Sequence, residues 1–384
     1  MPMRTLTNKL HSLTLHGVRI SHKTCWTFVT LRTQDGRMGY GEATLTGRED
    51  LLETAAQTLA PSALAASLDS PGEFAAAHAP ADLPRAAMVC AIDQALWDLH
   101  AQTRQLSLAQ VLGVKREQIP VYANINRRTE QRTPAGFAAS AAVAIAAGFT
   151  AFKIAPFDEV NTALCAQGQG LNAMQPGLDR IAAVRAAVGP KARLMVDCHW
   201  RFDEATTGHL NIALAALGVY WIECPLPEIE ANIPALTRLR QHANRLGMRQ
   251  AGLEESIGWE QFRPYCEAGA YDVVMPDIKY AGGIAEMLHI AQACARLKVQ
   301  ISPHNPSGPV CHAASLQLAC VLDSFDMLEM QFDESPLFDS LVGAPFAAIQ
   351  DGFTVPPSGT GLGVHLDATL LQAHADRIVR VWEA

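Results

Sequence analysis

The chain has 384 residues, which is more than one small domain needs, and its hydrophobic content of 49% is enough to bury a large core. Its 30 basic and 38 acidic residues give a net charge of −8, which argues against nucleic acids and anionic membrane surfaces as partners. The nine cysteines include no Cys-x-x-Cys pair, a pattern typical of small buried residues in a reducing cytoplasm and not of a disulfide framework or a zinc site.

Neither a secretion signal nor a membrane span is evident in the sequence. The N-terminal segment MPMRTLTNKLHS contains no apolar core of the kind that a signal peptide has. The longest stretch of small apolar residues, AASAAVAIAAGF, is too short and too rich in alanine to span a bilayer. We therefore expect a cytoplasmic protein that does not bind membranes.

The first part of the chain predicts an α+β domain. The segments LTLHGVRI and CWTFVTLRTQDGRMGYGEA predict antiparallel strands, with a turn at Gln34-Asp35-Gly36. Helices are predicted over residues 49–66 and 85–104. The pattern changes at Ile119, so we predict that the N-terminal domain covers residues 1–118.

From Ile119 onward, short apolar segments alternate with segments that have a helical pattern. The candidate strands are PVYANI, TAFKIA, RLMVDCH, VYWIEC, MRQAGLE, DVVMPD, VQISPH and DMLEMQ. Eight strands that alternate with helices predict a closed parallel (β/α)8 barrel over residues 119–350. The tail, residues 351–384, leaves this pattern, and we expect it to return to the first domain.

Three acidic residues end successive candidate strands, where barrel enzymes place their chemistry. They are Asp197, Glu223 and Glu254. A single acidic residue at such a position would be more typical of a helix cap or a surface residue. A buried carboxylate needs a partner, and three in register can share one hard cation such as Mg²⁺.

Other strands supply candidate reacting groups. Lys153 lies within an apolar strand, and its alternative role is an ion pair with a neighbouring carboxylate. Asp277 and His304 end adjacent strands, and a carboxylate that orients a histidine ring makes a general base. The alternative is a core histidine beside a structural aspartate.

Two further candidates have two possible roles each. Glu329 could donate a hydrogen bond to a developing oxyanion if it is protonated, or it could form a packing salt bridge. His199 follows Asp197 by two residues, and the two-residue period of a strand places both on one face. A surface histidine just beyond the strand is the alternative.

With these residues in place, the chain resembles the mandelate racemase type of the enolase superfamily over nearly its whole length. The resemblance rests on the ordered carboxylates and on the segments GYGEATLTGRE, AIDQALWDLHAQTRQLSLAQVLG, PDIKYAGGIAE and PHNPSGPV. It implies a modified (β/α)8 barrel with an α+β capping domain, a homo-oligomer, and removal of a proton alpha to a carboxylate. It also implies one Mg²⁺ per active site, held by Asp197, Glu223 and Glu254, with Glu255 as the alternative to Glu254.

The chain departs from the family pattern in its bases. Many relatives carry Lys-x-Lys on the second barrel strand, whereas here Ala155 takes the place of the second lysine. Muconate cycloisomerase-like relatives place a lysine where this chain has Asp277, and Lys279 is offset by two residues from that position. The resemblance therefore leaves His304, oriented by Asp277, as the main base.

The Asp-x-His arrangement at Asp197 and His199 is similar to that of galactonate and mannonate dehydratases in the family. The resemblance therefore implies a Mg²⁺-dependent dehydratase that acts on a small acid sugar, an aldonate or aldarate, and yields a 2-keto-3-deoxy acid. His304 takes the C2 proton, the metal with Lys153 and Glu329 holds the enediolate, and His199 protonates the departing C3 hydroxyl.

Two alternatives stay open at this point. One is a racemase or epimerase of a 2-hydroxy or amino carboxylate, which the missing second lysine disfavours. The other is a metal-binding relative with little turnover. We expect substrate selectivity to come from cap loops 21–26 and 44–48 and from polar groups such as Arg201 and Gln331.

Overall fold

The structure, a computed structural model, describes residues 8–80 and 82–384. The segment in which no secretion signal was found begins with residues 1–7, which lie outside the described residues. The described N-terminal region holds three strands and four helices: β1 (Leu10–Arg19), β2 (Cys25–Thr33), β3 (Met38–Glu42), α1 (Glu49–Leu64), α2 (Gly72–Ala77), α3 (Leu83–Thr103) and α4 (Leu108–Leu112). The turn predicted before β3 is present, with the Gly36 N–H donating to the Thr33 carbonyl over 3.0 Å.

All eight predicted barrel strands are present, several of them shorter than the apolar segments that predict them. They are β4 (Ile119–Asn124), β5 (Ala151–Ile154), β6 (Arg193–Asp197), β7 (Trp221–Glu223), β8 (Arg249–Gly252), β9 (Val273–Val274), β10 (Gln300–Ile301) and β11 (Leu328–Gln331). They pair in parallel in the order β10-β9-β8-β7-β6-β5-β4-β11. A parallel bridge joins Ile301 of β10 to Phe325, three residues before β11, and so connects the two ends of this order. The predicted parallel barrel is confirmed.

Helices connect the barrel strands and cover the outside of the sheet. They are α5 (Pro134–Ala146), α6 (Thr162–Ala166), α7 (Gly170–Ala173), α8 (Gln175–Val188), α9 (Glu204–Ala216), α10 (Ile233–Arg245), α11 (Gly258–Glu267), α12 (Ile284–Arg296), α13 (Pro309–Ala319) and α14 (Leu337–Ser340). Polar side chains begin several of them; for example, Thr133 and Asp203 accept hydrogen bonds from first-turn N–H groups of α5 and α9. Among the described residues, no helix is both long and apolar enough to cross a membrane.

The C-terminal tail returns to the first sheet, as predicted. It contains β12 (Phe353–Thr354), α15 (Ala368–His374) and β13 (Ala375–Glu383). Strand β12 pairs with β4, and β13 pairs antiparallel with β1 to give a four-stranded sheet in the order β13-β1-β2-β3. The cap is therefore built from both ends of the chain. The boundaries after residues 118 and 350 stay predictions.

Helix α3 packs directly on β3 because two glycines leave room for its backbone. A Cβ atom at Gly41 would lie 1.8 Å from the carbonyl oxygen of Ala91, and one at Gly39 would lie 2.3 Å from that of Ala95. No side chain fits at either distance. Ala91 and Leu96 of α3 are fully buried. The Gly-Tyr-Gly sequence of β3 is thus a packing requirement.

The cap is attached to the barrel at the starts of two helices. Glu42, at the end of β3, accepts hydrogen bonds from the N–H groups of Gly308 (2.7 Å) and Cys311 (2.9 Å) at the start of α13. Asp93 of α3 accepts one from the N–H of Ile284 (2.7 Å) at the start of α12. Both barrel helices begin next to the carboxyl ends of strands, so the cap lies over that end of the barrel.

Candidate active site

A cavity of about 830 Å³ lies between the cap and the carboxyl ends of the barrel strands. The barrel lines it with Lys153, Asp197, Glu254 and His304, and the cap lines it with residues 44–46. Its size is typical of sites for small molecules. Four of the strand-end residues predicted from the sequence therefore share one cavity, whereas Glu223, Asp277 and Glu329 do not line it.

Three buried carboxylates form the centre of this site. Each of Asp197, Glu223 and Glu254 offers an oxygen atom, and these atoms lie within 4.8 Å of one another. The exposed Glu255 lies outside this group, so the geometry favours Glu254 as the third member. An all-oxygen set of this kind could bind a hard divalent cation.

The raised pKa values of two of the three carboxylates indicate that too little positive charge lies near them to balance their negative charges. Burial raises the pKa of Glu223 to about 7. Burial, together with the charges of Asp197 and Glu223, raises the pKa of Glu254 well above its ordinary value. One oxygen of Glu254, Oε2, is buried and has no hydrogen-bond partner among the described residues. A cation bound here would relieve both effects, so the residues present fit a metal ion.

The backbone is unusual just after β6 and β7, which end at Asp197 and Glu223, and after β8, which ends two residues before Glu254. Left-handed conformations occur at His199 (φ 46°) and Trp200 (φ 57°) after β6, at Cys224 (φ 44°) after β7 and at Leu253 (φ 72°) after β8. Such conformations are costly for side chains other than glycine and cluster at functional sites. These strained residues lie where the chain turns beside the cavity.

His199 reaches Asp197 by this turn and not by the period of the strand. Strand β6 ends at Asp197, so the reason given from the sequence for their proximity is wrong, although the two side chains are adjacent. The Nε2 atom of His199 lies 2.7 Å from Oδ2 of Asp197. The charge of Asp197 raises the pKa of His199, which favours the protonated ring. In turn His199 and Lys153 overcome the effect of burial and hold the pKa of Asp197 at about 2.

His304 and Asp277 lie side by side, with 2.8 Å between His304 Nδ1 and Asp277 Oδ2. Burial alone would raise the pKa of Asp277, but Lys279 and His304 hold it below its ordinary value. An ionised carboxylate only accepts hydrogen bonds, so Nδ1 carries the proton. Nε2 is therefore the ring atom left for the cavity, where it lies 3.5 Å from Oε2 of Glu254.

Lys279 takes part in this arrangement, which the sequence analysis did not foresee. Its Nζ atom lies 2.8 Å from the same Asp277 oxygen that binds His304, and it also donates to the Ser307 hydroxyl. Both Lys279 and Asp277 are buried. Lys279 follows Asp277 by two residues, and that spacing is the feature of the sequence from which their contact could have been predicted.

Lys153 lies between two carboxylates and has the ion pairs that its alternative role required. Its Nζ atom is 2.6 Å from Glu223 Oε1 and 2.9 Å from Glu329 Oε1. Burial opposes its charge, but these two carboxylates raise the pKa of Lys153 well above its ordinary value. The ammonium group is therefore retained in the buried site.

Glu329 has the salt bridge to Lys153 that was its alternative role, and its contacts favour that role over a hydrogen bond to an oxyanion. Burial alone would raise its pKa, but Lys153 and His304 hold the pKa of Glu329 below its ordinary value. It accepts hydrogen bonds from Asn124 Nδ2 (2.7 Å) and from the N–H of Asn305 (3.0 Å). Since it is an acceptor only, Glu329 positions Lys153 and the strand ends around it.

Models of two protein domains match the chain. Residues 7–113 match the mandelate racemase/muconate lactonizing enzyme N-terminal domain, and residues 136–370 match the enolase C-terminal domain-like model. The chain belongs to the mandelate racemase/muconate lactonizing enzyme family of the enolase superfamily. The resemblance inferred from the sequence is confirmed.

Relatives of this family have names that concern acid sugars. The chain is 29% identical over 357 residues to the D-gluconate dehydratase of Thermoproteus tenax, covering 90% of this chain and 69% of that protein. It is 26% identical over 357 residues to the D-galactonate dehydratase of Ralstonia nicotianae, covering 90% of each. A solved structure from Labrenzia alexandrii, named for the mandelate racemase/muconate lactonizing enzyme family, has a TM-score of 0.85 over 97% of both chains at 23% identity, which supports the fold.

One further residue of the site, Asn124, was not predicted, although the sequence contains the signal for it. Asn124 ends β4 and contacts Glu329, so the strand-end rule that identified the carboxylates applies to it as well. Of the two polar residues predicted for selectivity, Arg201 lines the cavity. Gln331 is buried, and its amide atoms have no hydrogen-bond partner among the described residues.

Proposed function

We propose that this protein is a Mg²⁺-dependent hydro-lyase that converts a sugar acid into a 2-keto-3-deoxy acid. The observation that carries the proposal is that two histidines, each held by its own aspartate, line one cavity beside the three carboxylates. One histidine can take a proton and the other can give one, which an elimination requires. The dehydratase names of the relatives support the same reaction.

His304 is the base in this proposal. The ionised Asp277 keeps the proton on Nδ1, so Nε2 accepts the C2 proton of the substrate. Mg²⁺, held by Asp197, Glu223 and Glu254, would supply positive charge to the substrate carboxylate as the C2 proton leaves. The retained ammonium of Lys153 adds a second positive charge at that carboxylate.

His199 is the acid in this proposal. Hydroxide is a poor leaving group, so the C3 hydroxyl needs a proton as its bond to carbon breaks. The charge of Asp197 raises the pKa of His199, which favours the protonated ring that this step needs. Loss of water leaves an enol of the C2–C3 bond, which tautomerises to the 2-keto acid.

Replacing His199 with Asn is expected to separate the two proton transfers. His199→Asn should retain C2-proton exchange through His304 but lose formation of the 2-keto acid by roughly 10²- to 10⁴-fold, the usual contribution of a general acid. The two activities are measured on one substrate, by NMR of C2 deuterium exchange and by a colorimetric assay for 2-keto acids. His209→Asn, at another histidine that does not line the cavity, is the control. If both activities of His199→Asn stay within a few-fold of wild type, His199 is not the acid.

Lys279 positions the base by holding Asp277. Lys279→Met is expected to lower kcat by about tenfold or more with little change in KM, because Asp277 loses the partner that fixes its Oδ2 atom. Lys279→Arg should recover part of kcat, since it restores a cation at that oxygen. Steady-state kinetics with circular dichroism of each variant provide the measurement. A folded Lys279→Met variant with unchanged kcat would show that the contact is only structural.

The direct test of the proposed function is a screen of acid sugars for 2-keto acid formation in the presence of Mg²⁺. At least one aldonate or aldarate should give a 2-keto-3-deoxy acid. The proposal fails if no member of the library yields a keto acid. An epimerase would instead give a C2 epimer of a substrate, but Ala155 occupies the place of the second lysine that many relatives use as a base.

A further inference from the structure

One wall of the cavity carries three arginines and only two carboxylates. These five residues are Arg132, Arg180, Arg201, Asp158 and Glu159. Arg132 binds Asp158 through two hydrogen bonds of 2.8 and 2.9 Å, and Arg180 binds Glu159 through two of 2.7 and 2.6 Å. Each carboxylate is therefore already paired with a guanidinium group, and the third arginine, whose charge also lowers the pKa of Asp158, has no carboxylate within ion-pair distance among the described residues.

Arg201 is the unmatched arginine. Its Nη1 atom donates to the main-chain carbonyls of Phe157 (3.1 Å), Asp158 (3.1 Å) and Val160 (3.3 Å). Among the described residues it has no carboxylate within ion-pair distance, and its Nε and Nη2 atoms have no hydrogen-bond acceptor. The carbonyls thus fix one edge of the guanidinium group and leave the rest of its donors for another acceptor.

Lys23 brings a second unmatched charge from the cap. It is exposed on the loop between β1 and β2 and lines the same cavity. Within the described chain it has no ion pair. The other described lysines and arginines of the cavity are each paired: Arg127 with Glu334, Lys153 with Glu223 and Glu329, and Lys279 with Asp277.

The two unmatched cations are additional to the groups that the reacting carboxylate uses. In the proposed function that carboxylate lies at the three acidic residues and Lys153. We infer, on the basis of the proposed function, that the sugar acid carries a second anionic group, a carboxylate or a phosphate, which Arg201 and Lys23 recognise. A planar guanidinium group with free donors matches either anion. Gluconate and galactonate carry one carboxylate each, so this inference separates the chain from the two dehydratases compared above.

The test compares acids that share their stereochemistry and differ only at the end remote from the reacting carboxylate. Pairs such as D-gluconate with D-glucarate and D-galactonate with galactarate are assayed for keto acid formation, with 6-phospho-D-gluconate as the phosphate arm. The diacid or the phosphorylated acid should have a kcat/KM about tenfold or more above that of the matching monoacid. A higher value for the diacid identifies a carboxylate as the second anion, and a higher value for the phosphorylated acid identifies a phosphate.

Variants connect this preference to the two cations. Arg201→Met and Lys23→Met should each lower the ratio of the two kcat/KM values several-fold. Arg32→Met, at an exposed cation of β2 that does not line the cavity, should leave the ratio unchanged. Equal or better turnover of the monoacids by the wild-type protein would overturn the inference and leave the proposed function intact.

A binding measurement distinguishes the two proposals further. Calorimetry with His304→Asn, in which turnover is expected to be lost, gives Kd for each monoacid and diacid without reaction. Tighter binding of the diacid supports the second anion site even if the screen finds no keto acid, in which case only the proposed function fails. Equal Kd values for the two members of every pair, including the phosphorylated acid, would overturn the inference.

Discussion

Asp197→Asn and Glu223→Gln are each expected to abolish Mg²⁺-dependent dehydration while the barrel stays folded. Asp197, Glu223 and Glu254 place oxygen atoms within 4.8 Å of one another, and the buried site holds less positive charge than these carboxylates need. Removing one carboxylate removes a ligand for the cation and the charge that attracts it. We expect activity to fall by roughly 10³-fold or more, because a bound metal ion stabilises developing charge by several kcal/mol.

The measurement is keto acid formation as a function of Mg²⁺ concentration, with metal binding followed separately by calorimetry. Glu267→Gln is the matched control, because Glu267 is exposed, lies outside the three-carboxylate group and does not line the cavity. It should keep activity and metal binding within a few-fold of wild type. Circular dichroism identifies any variant that is unfolded. Full activity of the wild-type protein in excess chelator would exclude the metal from the mechanism.

His304→Asn should produce a comparable loss through the C2 proton. A positioned general base contributes roughly 10²- to 10⁴-fold, and Asn cannot accept the proton at that step. The ring is held 2.8 Å from Asp277, so the base is oriented before the substrate binds. We expect C2-proton exchange and keto acid formation to be lost together, unlike the separation expected for His199→Asn.

Proton NMR in D₂O measures the C2 exchange of His304→Asn directly. His289→Asn, at an exposed histidine of α12, is the matched control and should exchange the C2 proton at the wild-type rate. Asp277→Asn should give an intermediate loss, because the ring keeps its place but loses the ionised partner that fixes its proton. Near wild-type exchange by a folded His304→Asn variant would assign the base to another residue.

The barrel could be predicted from the sequence because its signals are local. Short apolar segments, separated by helical ones, predict buried parallel strands, and parallel strands place their carboxyl ends at one edge. The positions of Asp197 and Glu223 follow from that rule alone, since each is the last residue of its strand. The loss of the pattern after residue 350 predicted that the tail returns to the first domain, but not that its strand β13 pairs with β1.

Features that depend on side-chain contacts between distant residues could not be predicted in the same way. The lowered pKa of Glu329 depends on Lys153, which is 176 residues away in sequence and 2.9 Å away in space. The left-handed turn that brings His199 to Asp197 has no glycine or asparagine to indicate it. Lys279 was set aside because its position differed from that of a family base, whereas its contact with Asp277 depends only on local geometry.

The most direct measurement of the central claim is proton NMR of the wild-type protein with Mg²⁺ in D₂O, on the acid sugar that the screen identifies. We expect the C2 proton signal to disappear as a 2-keto-3-deoxy acid forms with one deuterium at C3, because the enol takes a solvent deuteron at that carbon when it tautomerises. Formation of a C2 epimer without keto acid, or C2 exchange that never leads to loss of water, would contradict the proposal that this enolase-superfamily protein is a sugar-acid dehydratase.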